Sequence, residues 1–175
     1  MRAEYRIPPP DGAVSLRRFT EDDVMRTYGW VTKPWYTGDF AGSATPTPES
    51  HRKYFEAVLK DRGQVFLAVC ANGRHMGNAG LKYFNGCSCE CWYYIGDENQ
   101  RSKGYANRIV RLLCCVAFSI EGIERVKARV LSANVRSAKA LLSNGFVEVG
   151  RFNDELGREF IMYVKEGEGH AGRLA

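Results

Sequence analysis

Arg101, Ser102, Lys103, Gly104, Tyr105 and Ala106 stand between two runs of contrasting pattern. Before them, Cys91, Trp92, Tyr93, Tyr94 and Ile95 make the aromatic and β-branched run of a buried strand. After them, Ile109, Val110, Leu113, Val116, Ala117 and Ile120 recur at the three- and four-residue steps of an amphipathic helix, with Gly122 as a left-handed stop. A loop that opens a helix offers backbone N–H groups with no partner inside it, and the helix dipole adds roughly half a positive charge there. That is an anion site, suited above all to phosphate. Gly104 lets backbone approach a ligand closely, and Arg101 and Lys103 add charge beside it. Taken alone, the six residues also fit a glycine turn before an ordinary packed helix.

The elements that must position this loop follow from the flanking patterns. Residues 14–19 alternate apolar and polar and predict a first strand. Thr20 with Glu21, Asp22 and Asp23 predicts a capped helix through about Tyr28. Residues 30–48 mix Trp30, Trp35, Tyr36 and Phe40 with Pro34, Gly38, Gly42, Pro46 and Pro48, which is too irregular for a long helix. A loop of this length is usually functional or disordered, and its aromatics argue against disorder. Trp30, Trp35 and Tyr36 are therefore expected to wall an acceptor pocket, or else to form a satellite apolar cluster. Thr47 and Pro48 begin a second helix with Tyr54, Phe55, Val58 and Leu59 on one face.

Three strands follow over residues 64–70, 75–84 and 87–95, joined by the hairpin signals Asn72-Gly73 and Asn85-Gly86. The helix after the loop must then return to a strand at 125–130, a crossover that makes the sheet mixed. A short helix at 135–143 stops at Asn144 and Gly145, and a hairpin of 147–152 with 159–164 completes the sheet. The expected class is α/β, with a mixed, mostly antiparallel central sheet flanked by helices.

A chain of 175 residues fits one domain burying roughly two-thirds of its unfolded surface. The divisions are an arm at 1–13, a single domain at 14–166 and a loose tail at 167–175. The net charge of +5 is spread along the chain, so a nucleic-acid partner is not required and a polyanionic cofactor suffices. The longest apolar run, 112–120, is far shorter than the ~20 residues of a membrane span. Arg2, Glu4 and Arg6 followed by three prolines do not resemble a secretory signal, so a cytoplasmic protein is expected. Cys87, Cys89 and Cys91 share one strand face at about 6–7 Å intervals, too poorly aligned to bond one another. With Cys70, Cys114 and Cys115 they complete no zinc pattern and read as reduced thiols, though the three-cysteine face also suits a soft metal or oxidation. His51, His75 and His170 have no matching partner in the sequence and read as structural or exposed.

The order Arg101, two residues, Gly104, one residue, Ala106, after a strand and opening a helix, resembles the pyrophosphate loop of the GNAT N-acetyltransferases. A following strand, then Asn134, Ser137, a short helix, Gly145 and Phe146 extend the resemblance over roughly residues 16–165. The branch it is most similar to includes ribosomal-protein alanine and amino-sugar N-acetyltransferases. Ser102 is a departure, since relatives often carry glycine there. The resemblance implies acetyl-CoA as co-substrate, its diphosphate held by the N–H groups of residues 101–106 and its pantetheine arm by the backbone of Tyr94 and Ile95, the amide of Asn134 and the ring of Phe146. It implies that Glu90 draws the amine proton directly or through water; the other reading is a solvated strand glutamate. The tyrosine that some relatives place on the later helix is replaced here by the run Lys139, Ala140, Leu141, Leu142, and Ser137 would serve the departing thiolate instead. Asn134 and Ser137 also fit simple helix capping.

Acetyl transfer needs a deprotonated amine, a polarised carbonyl and a stabilised leaving thiolate. The segment Met76, Gly77, Asn78, Ala79, Gly80, Leu81, together with residues 91–96, looks like that of relatives acetylating amino sugars, often nucleotide-linked, in surface-polysaccharide pathways. The aromatics could stack on a base or sugar and Arg26, Lys33 and Arg52 meet its phosphates. The expected function is direct transfer from acetyl-CoA to a primary amine of a small molecule. Alternatives are acetylation of a protein N-terminus, through an open cleft, and acyl-CoA binding without turnover. No membrane partner is expected, and a homodimer is permitted.

Overall fold

The computed structural model describes residues 4–39 and 45–167. Its alternating segments form β1 (Val14–Arg18), β2 (Val65–Ala71), β3 (Arg74–Asn85), β4 (Ser88–Ile95), β5 (Arg125–Leu131), β6 (Val147–Asn153) and β7 (Glu159–Glu166). The helices are α1 (Glu21–Val31), α2 (Pro34–Asp39), α3 (Pro48–Lys60), α4 (Tyr105–Phe118) and α5 (Val135–Leu142). One sheet holds the strands in the order β1-β2-β3-β4-β5-β7-β6. Every neighbouring pair is antiparallel except β4 and β5, which α4 joins as a parallel crossover. The strand and helix identities agree with the patterning, and the sheet is mixed as expected.

Apolar periodicity decides the layers. Ile109, Val110, Leu113 and Val116 of α4 are buried with Leu67, Leu81, Cys89, Cys91 and Val126 of the sheet in one core. On the other layer Phe19, Val24, Phe55 and Val58 form a second, smaller core, in which the Phe19 and Phe55 rings stack at 4.9 Å. Both faces of the central strands are thereby covered. Six free cysteines accompany this packing, and burial raises the thiol of Cys89 to about 12 and that of Cys114 to about 11.

Several expectations need correction. α1 continues to Val31, so Trp30 is helical, and Pro34 starts the short α2 inside the stretch expected to be irregular. Proline suits a first helical position because its missing N–H has no partner there anyway. Phe40 and Gly42 lie outside the described residues. On α3, Phe55 and Val58 are buried but Tyr54 is 57% exposed and Leu59 40%, while His51 fills the buried stripe. α4 ends at Phe118 with Ser119 as its cap, and Gly122, at φ 80°, serves the following turn. The arm is held down: Tyr5 and Ile7 pack on the larger core, Arg6 N–H donates to Ser119 Oγ at 2.8 Å, and Asp11 pairs with Arg111 at 2.9 Å. His170 lies outside the described residues, as do residues 168–175.

His51 and His75 are buried structural residues, one of the two readings expected, and the fold supplies partners that the sequence did not show. His51 Nε2 lies 2.9 Å from the Val24 carbonyl. His75 Nε2 bonds Asn78 Oδ1 at 2.8 Å, which makes Nε2 the donor, and its Nδ1 approaches Asp23 Oδ1 to 3.0 Å without hydrogen-bond alignment. Asp23 in turn accepts from Arg17 at 2.6 and 2.7 Å and from the Thr20 N–H at 3.0 Å. Asn78 Nδ2 donates to Thr27 Oγ1 at 3.0 Å and to Tyr94 Oη at 2.6 Å. One polar chain thus ties β1 and α1 to β3 and β4.

Burial alone raises the Asp23 carboxyl, but Arg17, the Thr20 N–H and His75 outweigh it and bring it down to about 2. A depressed carboxyl stabilises the fold above its unfolded value of ~3.9, and that contribution fades as pH falls through its folded value. Denaturant unfolding at a series of pH values should therefore show Asp23→Asn less stable by about 2 kcal/mol near neutral pH. Between about pH 4 and 2 the wild type should lose stability more steeply than the variant, so that the two converge.

Candidate active site

Backbone pairing between β4 and β5 covers Ser88–Arg125, Cys89–Val126 and Glu90–Lys127 and then ends, although both strands continue. The parted strands leave a gap through the sheet. On the side of α4 and α5 a cleft of about 460 Å³ runs from this gap to the loop before α4, lined by Tyr93, Ile95, Arg101, Ser102, Gly104 and Asn134 among others. A second cavity, of about 380 Å³, includes Tyr36, Glu90, Trp92, Arg129, Ser137 and Phe160 in its wall. Tyr93, Asn134 and Ser137 line both, so they mark the junction.

The loop has the geometry of an anion cradle. Gly104, at φ 75°, is the N-cap of α4 and supplies no side-chain cap, and the first turn carries no acidic residue. An added Cβ on Gly104 would meet nothing within 4 Å. Tyr105, Ala106 and Asn107 line the cleft there, at the end where helix N–H groups lack internal partners. Ser102 takes φ 61°, a left-handed backbone that costs a non-glycine residue about 1–2 kcal/mol. The serine therefore holds the path glycine would take, under strain. Arg101 lines the cleft but turns back: Nε and Nη2 donate to the Ile95 carbonyl at 3.1 and 3.0 Å, and the guanidinium stacks 3.6 Å from the Trp35 ring centroid. Lys103 bonds Gln100 at 3.2 Å and lies outside both cavity walls. The buried Trp35 Nε1 has no hydrogen-bond partner among the described residues.

At the junction, Asn134 caps α5 by accepting the Ser137 N–H at 3.1 Å, so capping and cleft lining are combined in one side chain. The Tyr93 hydroxyl bonds Ser137 Oγ at 3.1 Å, and burial foremost raises the phenol to about 12. In the second cavity Glu90 is 9% exposed. Arg129 grips it through both oxygens, Nε to Oε2 at 2.8 Å and Nη2 to Oε1 at 3.0 Å, and Lys82 Nζ stands 3.8 Å from Oε1. Tyr83, held at φ 52° beside a register shift in β3, lays its ring 4.7 Å from Lys82 Nζ and 5.5 Å from the Arg129 guanidinium. Burial brings the Tyr36 phenol to about 12.

Not every residue singled out in the sequence reaches a cavity. Trp30 lines neither; its ring lies against His75 and fills the space beside Gly96, where a Cβ would come within 2.0 Å. Trp35 stands in the cleft beside the loop rather than in the second cavity, which Tyr36 alone of the three aromatics joins. Phe146 is a core side chain, 2% exposed, and lines neither wall. Tyr94 turns its ring into the α1 side, toward Trp30, Tyr36 and Asn78. Arg26, Lys33 and Arg52 are exposed and away from both walls. The cations that do line the second cavity are Lys82 and Arg129. Counting back through an Asn85-Gly86 turn would set Lys82 opposite Cys89; the register shift between Lys82 and Asn85 brings it opposite Glu90 instead. Arg129 and Tyr93 depend on the crossover and on α5, and no local pattern marks them. Among the described residues no group of three or more His, Cys, Asp and Glu side chains is placed to hold a metal.

The family described as acetyltransferase (GNAT) domain matches residues 14–147. Among solved structures, aminoglycoside acetyltransferase AAC(6')-Ib in complex with coenzyme A is similar, with 20% identity, a TM-score of 0.75, and 87% of this chain and 94% of that one covered. Spermidine N-acetyltransferase from Vibrio cholerae, in complex with CoA and spermine, shares 15% identity at a TM-score of 0.80 and covers 88% and 95%. Both show likeness of fold. No curated protein sequence matches the chain.

Gly104 separates the two demands on the loop. Gly104→Ala should lower stability by about 1 kcal/mol through its left-handed backbone. Gly104→Glu carries the same strain, but its carboxylate suits a helix N-terminus, so thermal unfolding should come no earlier than for the alanine variant. In calorimetric titration with coenzyme A, however, the glutamate variant should bind at least about tenfold more weakly than the alanine variant, through repulsion of the diphosphate.

Proposed function

Because this chain belongs to the GNAT acetyltransferase family, we propose that it transfers an acetyl group from acetyl-CoA directly to a primary amine on a small, anion-bearing molecule, of which a nucleotide-linked amino sugar is the leading candidate. The observation that carries the acceptor class is the charge of the second cavity. Lys82 and Arg129 face one carboxylate, Glu90, so the described wall holds an excess of positive charge. Polycations such as aminoglycosides and spermine, named with the structural neighbours, would meet like charge there, whereas a phosphate or carboxylate near the amine gains from it.

Acetyl-CoA fits the cleft on two grounds. The start of α4 has no side-chain cap to compete with a diphosphate, and Trp35 Nε1, beside the same cleft, is a buried donor with no acceptor among the described residues. Residues 101–106 would hold the diphosphate, while the backbone of Tyr94 and Ile95 would hold the pantetheine arm where β4 and β5 part. Asn134, which lines both cavities, would hold the same arm. The thioester carbonyl then reaches the gap, and the amine attacks it from the cavity that Tyr36 and Glu90 line.

Glu90 takes the amine proton in this reading. A carboxylate offers about four lone-pair sites, and Arg129 uses two of them, so Glu90 retains acceptor capacity toward the amine or a bridging water. Ser137 faces the departing thiolate. Six free thiols fit a cytoplasmic setting. The exposed edge strand β6, with Val147, Val149 and Phe152 at its surface, fits self-association. No described helix is long and apolar enough to cross a membrane.

The test is thiol release from acetyl-CoA with three acceptor classes: nucleotide amino sugars, polyamines with aminoglycosides, and N-terminal peptides. Release with the first class alone is expected. Preference for polycations or peptides would overturn the acceptor class, and acetyl-CoA binding without release from any of them would indicate a binding module. With the acceptor found, Glu90→Gln should lower kcat by about a hundredfold or more at neutral pH, with KM for acetyl-CoA nearly unchanged. That deficit should shrink as rising pH frees the amine unaided.

A further inference from the structure

We propose that Tyr93 is a positioning residue for the leaving group: its hydroxyl donates to Ser137 Oγ and so aims the serine's own O–H at the sulfur of coenzyme A. The proposal rests on the acetyl-CoA reading above and adds a residue that the sequence did not single out. Tyr93 and Ser137 are 44 residues apart in the chain, yet their oxygens lie 3.1 Å apart at the junction of the two cavities. A phenol is the stronger acid of the two, so Tyr93 donates and Ser137 accepts. The serine backbone is fixed as well, since its N–H is bonded to Asn134 Oδ1. Among the described residues nothing accepts from Ser137 Oγ, not even a carbonyl of its own helix, where a serine hydroxyl often bonds. Its proton is left for whatever enters the junction.

The direction of charge flow follows. When the amine has attacked, the carbon–sulfur bond breaks and its electron pair goes to sulfur. Ser137 O–H donates a hydrogen bond to that thiolate, and Tyr93 O–H, donating to the same oxygen, polarises it. Neither proton crosses. With the phenol at about 12 and a free thiol near 8.5, complete transfer would run uphill by about three pKa units, so the pair acts as a preorganised donor rather than a proton source. The proton lost by the amine goes to Glu90 or water, and the thiolate leaves as such or is protonated by solvent.

This predicts a pH signature that needs no acceptor. A site that donates to the thiolate lowers the thiol pKa of bound coenzyme A, so its affinity must rise with pH between the bound and free values; acetyl-CoA, with no titratable thiol, is the control. A hydrogen bond to a charged group is strong enough for about a tenfold gain in the affinity of coenzyme A over acetyl-CoA from pH 6 to 10. Ser137→Ala should abolish that gain and Tyr93→Phe remove most of it, while both keep acetyl-CoA affinity within about twofold of wild type. The double variant should be no worse than Ser137→Ala, and Ser137→Thr should restore part of the gain. A gain that persists in Tyr93→Phe but vanishes in Ser137→Ala would leave Tyr93 a packing residue and overturn the proposal. No gain in wild type would remove the pair from the sulfur altogether. Failure of wild type to bind either ligand would instead overturn the acetyl-CoA reading from which the proposal starts.

Discussion

The molecule depends on one interruption in its hydrogen bonding. β4 and β5 are joined through Glu90–Lys127 and no further, although each strand continues in extended form. Strand backbone left unpaired in a protein interior is costly, since each buried N–H and C=O needs a partner. Here the vacant edges face the two cavities, and the Ile95 carbonyl is satisfied by Arg101 instead of by a strand. The parallel crossover decides what stands beside the opening: α4 must span from the end of β4 to the start of β5, so the start of α4, without a side-chain cap, lies at the open end. Two ligands can then approach one point from different cavities, with Tyr93, Asn134 and Ser137 between them.

Holding β4 open while keeping it straight requires support from its other edge and face. β3 pairs with β4 from Gly77–Ile95 to Lys82–Glu90, and Gly77 permits the close backbone approach, since a Cβ there would fall 2.1 Å from the Tyr94 carbonyl oxygen. Behind the strand the polar chain from Arg17 through Asp23, His75 and Asn78 ends on the Tyr94 hydroxyl. Buried polar networks of this kind fix the relative placement of the elements they join, although His75 Nδ1 meets Asp23 here without hydrogen-bond alignment. Trp30, pressed on Gly96, belongs to this support.

Much of this was legible because it is local. Periodicity, turn dipeptides and proline or glycine punctuation mark all seven strands and four of the five helices, and the loop of residues 101–106 declares itself by standing between a strand pattern and a helix pattern. α2 was hidden, because six residues carry too little periodicity to outweigh the prolines and glycines around them. The aromatics of that segment were visible, but their directions were not: Trp30, Trp35 and Tyr36 cluster around the Tyr94 ring, yet Trp30 lies on His75, Trp35 lines the cleft and Tyr36 the second cavity. Likewise the charges that matter were invisible as a set. Arg129 meets Glu90 across a parallel pair, and Tyr93 meets Ser137 across the open gap, contacts fixed by topology rather than by spacing along the chain. Phe146 shows the converse, a motif residue whose surroundings make it core.

Arg101 connects matters that are separate in the chain. It belongs to the loop that would grip one ligand, it satisfies the carbonyl at the tip of β4, and it stacks on Trp35, whose neighbour Tyr36 lines the other cavity. Its side chain makes the last two contacts at once, so a ligand anion that claimed the guanidinium would have to break both. Any effect that such a ligand had on the Tyr36 side would be returned in equal measure, because a coupling free energy between two sites is reciprocal. One arginine thus bears on the strand tip, α2 and the loop together.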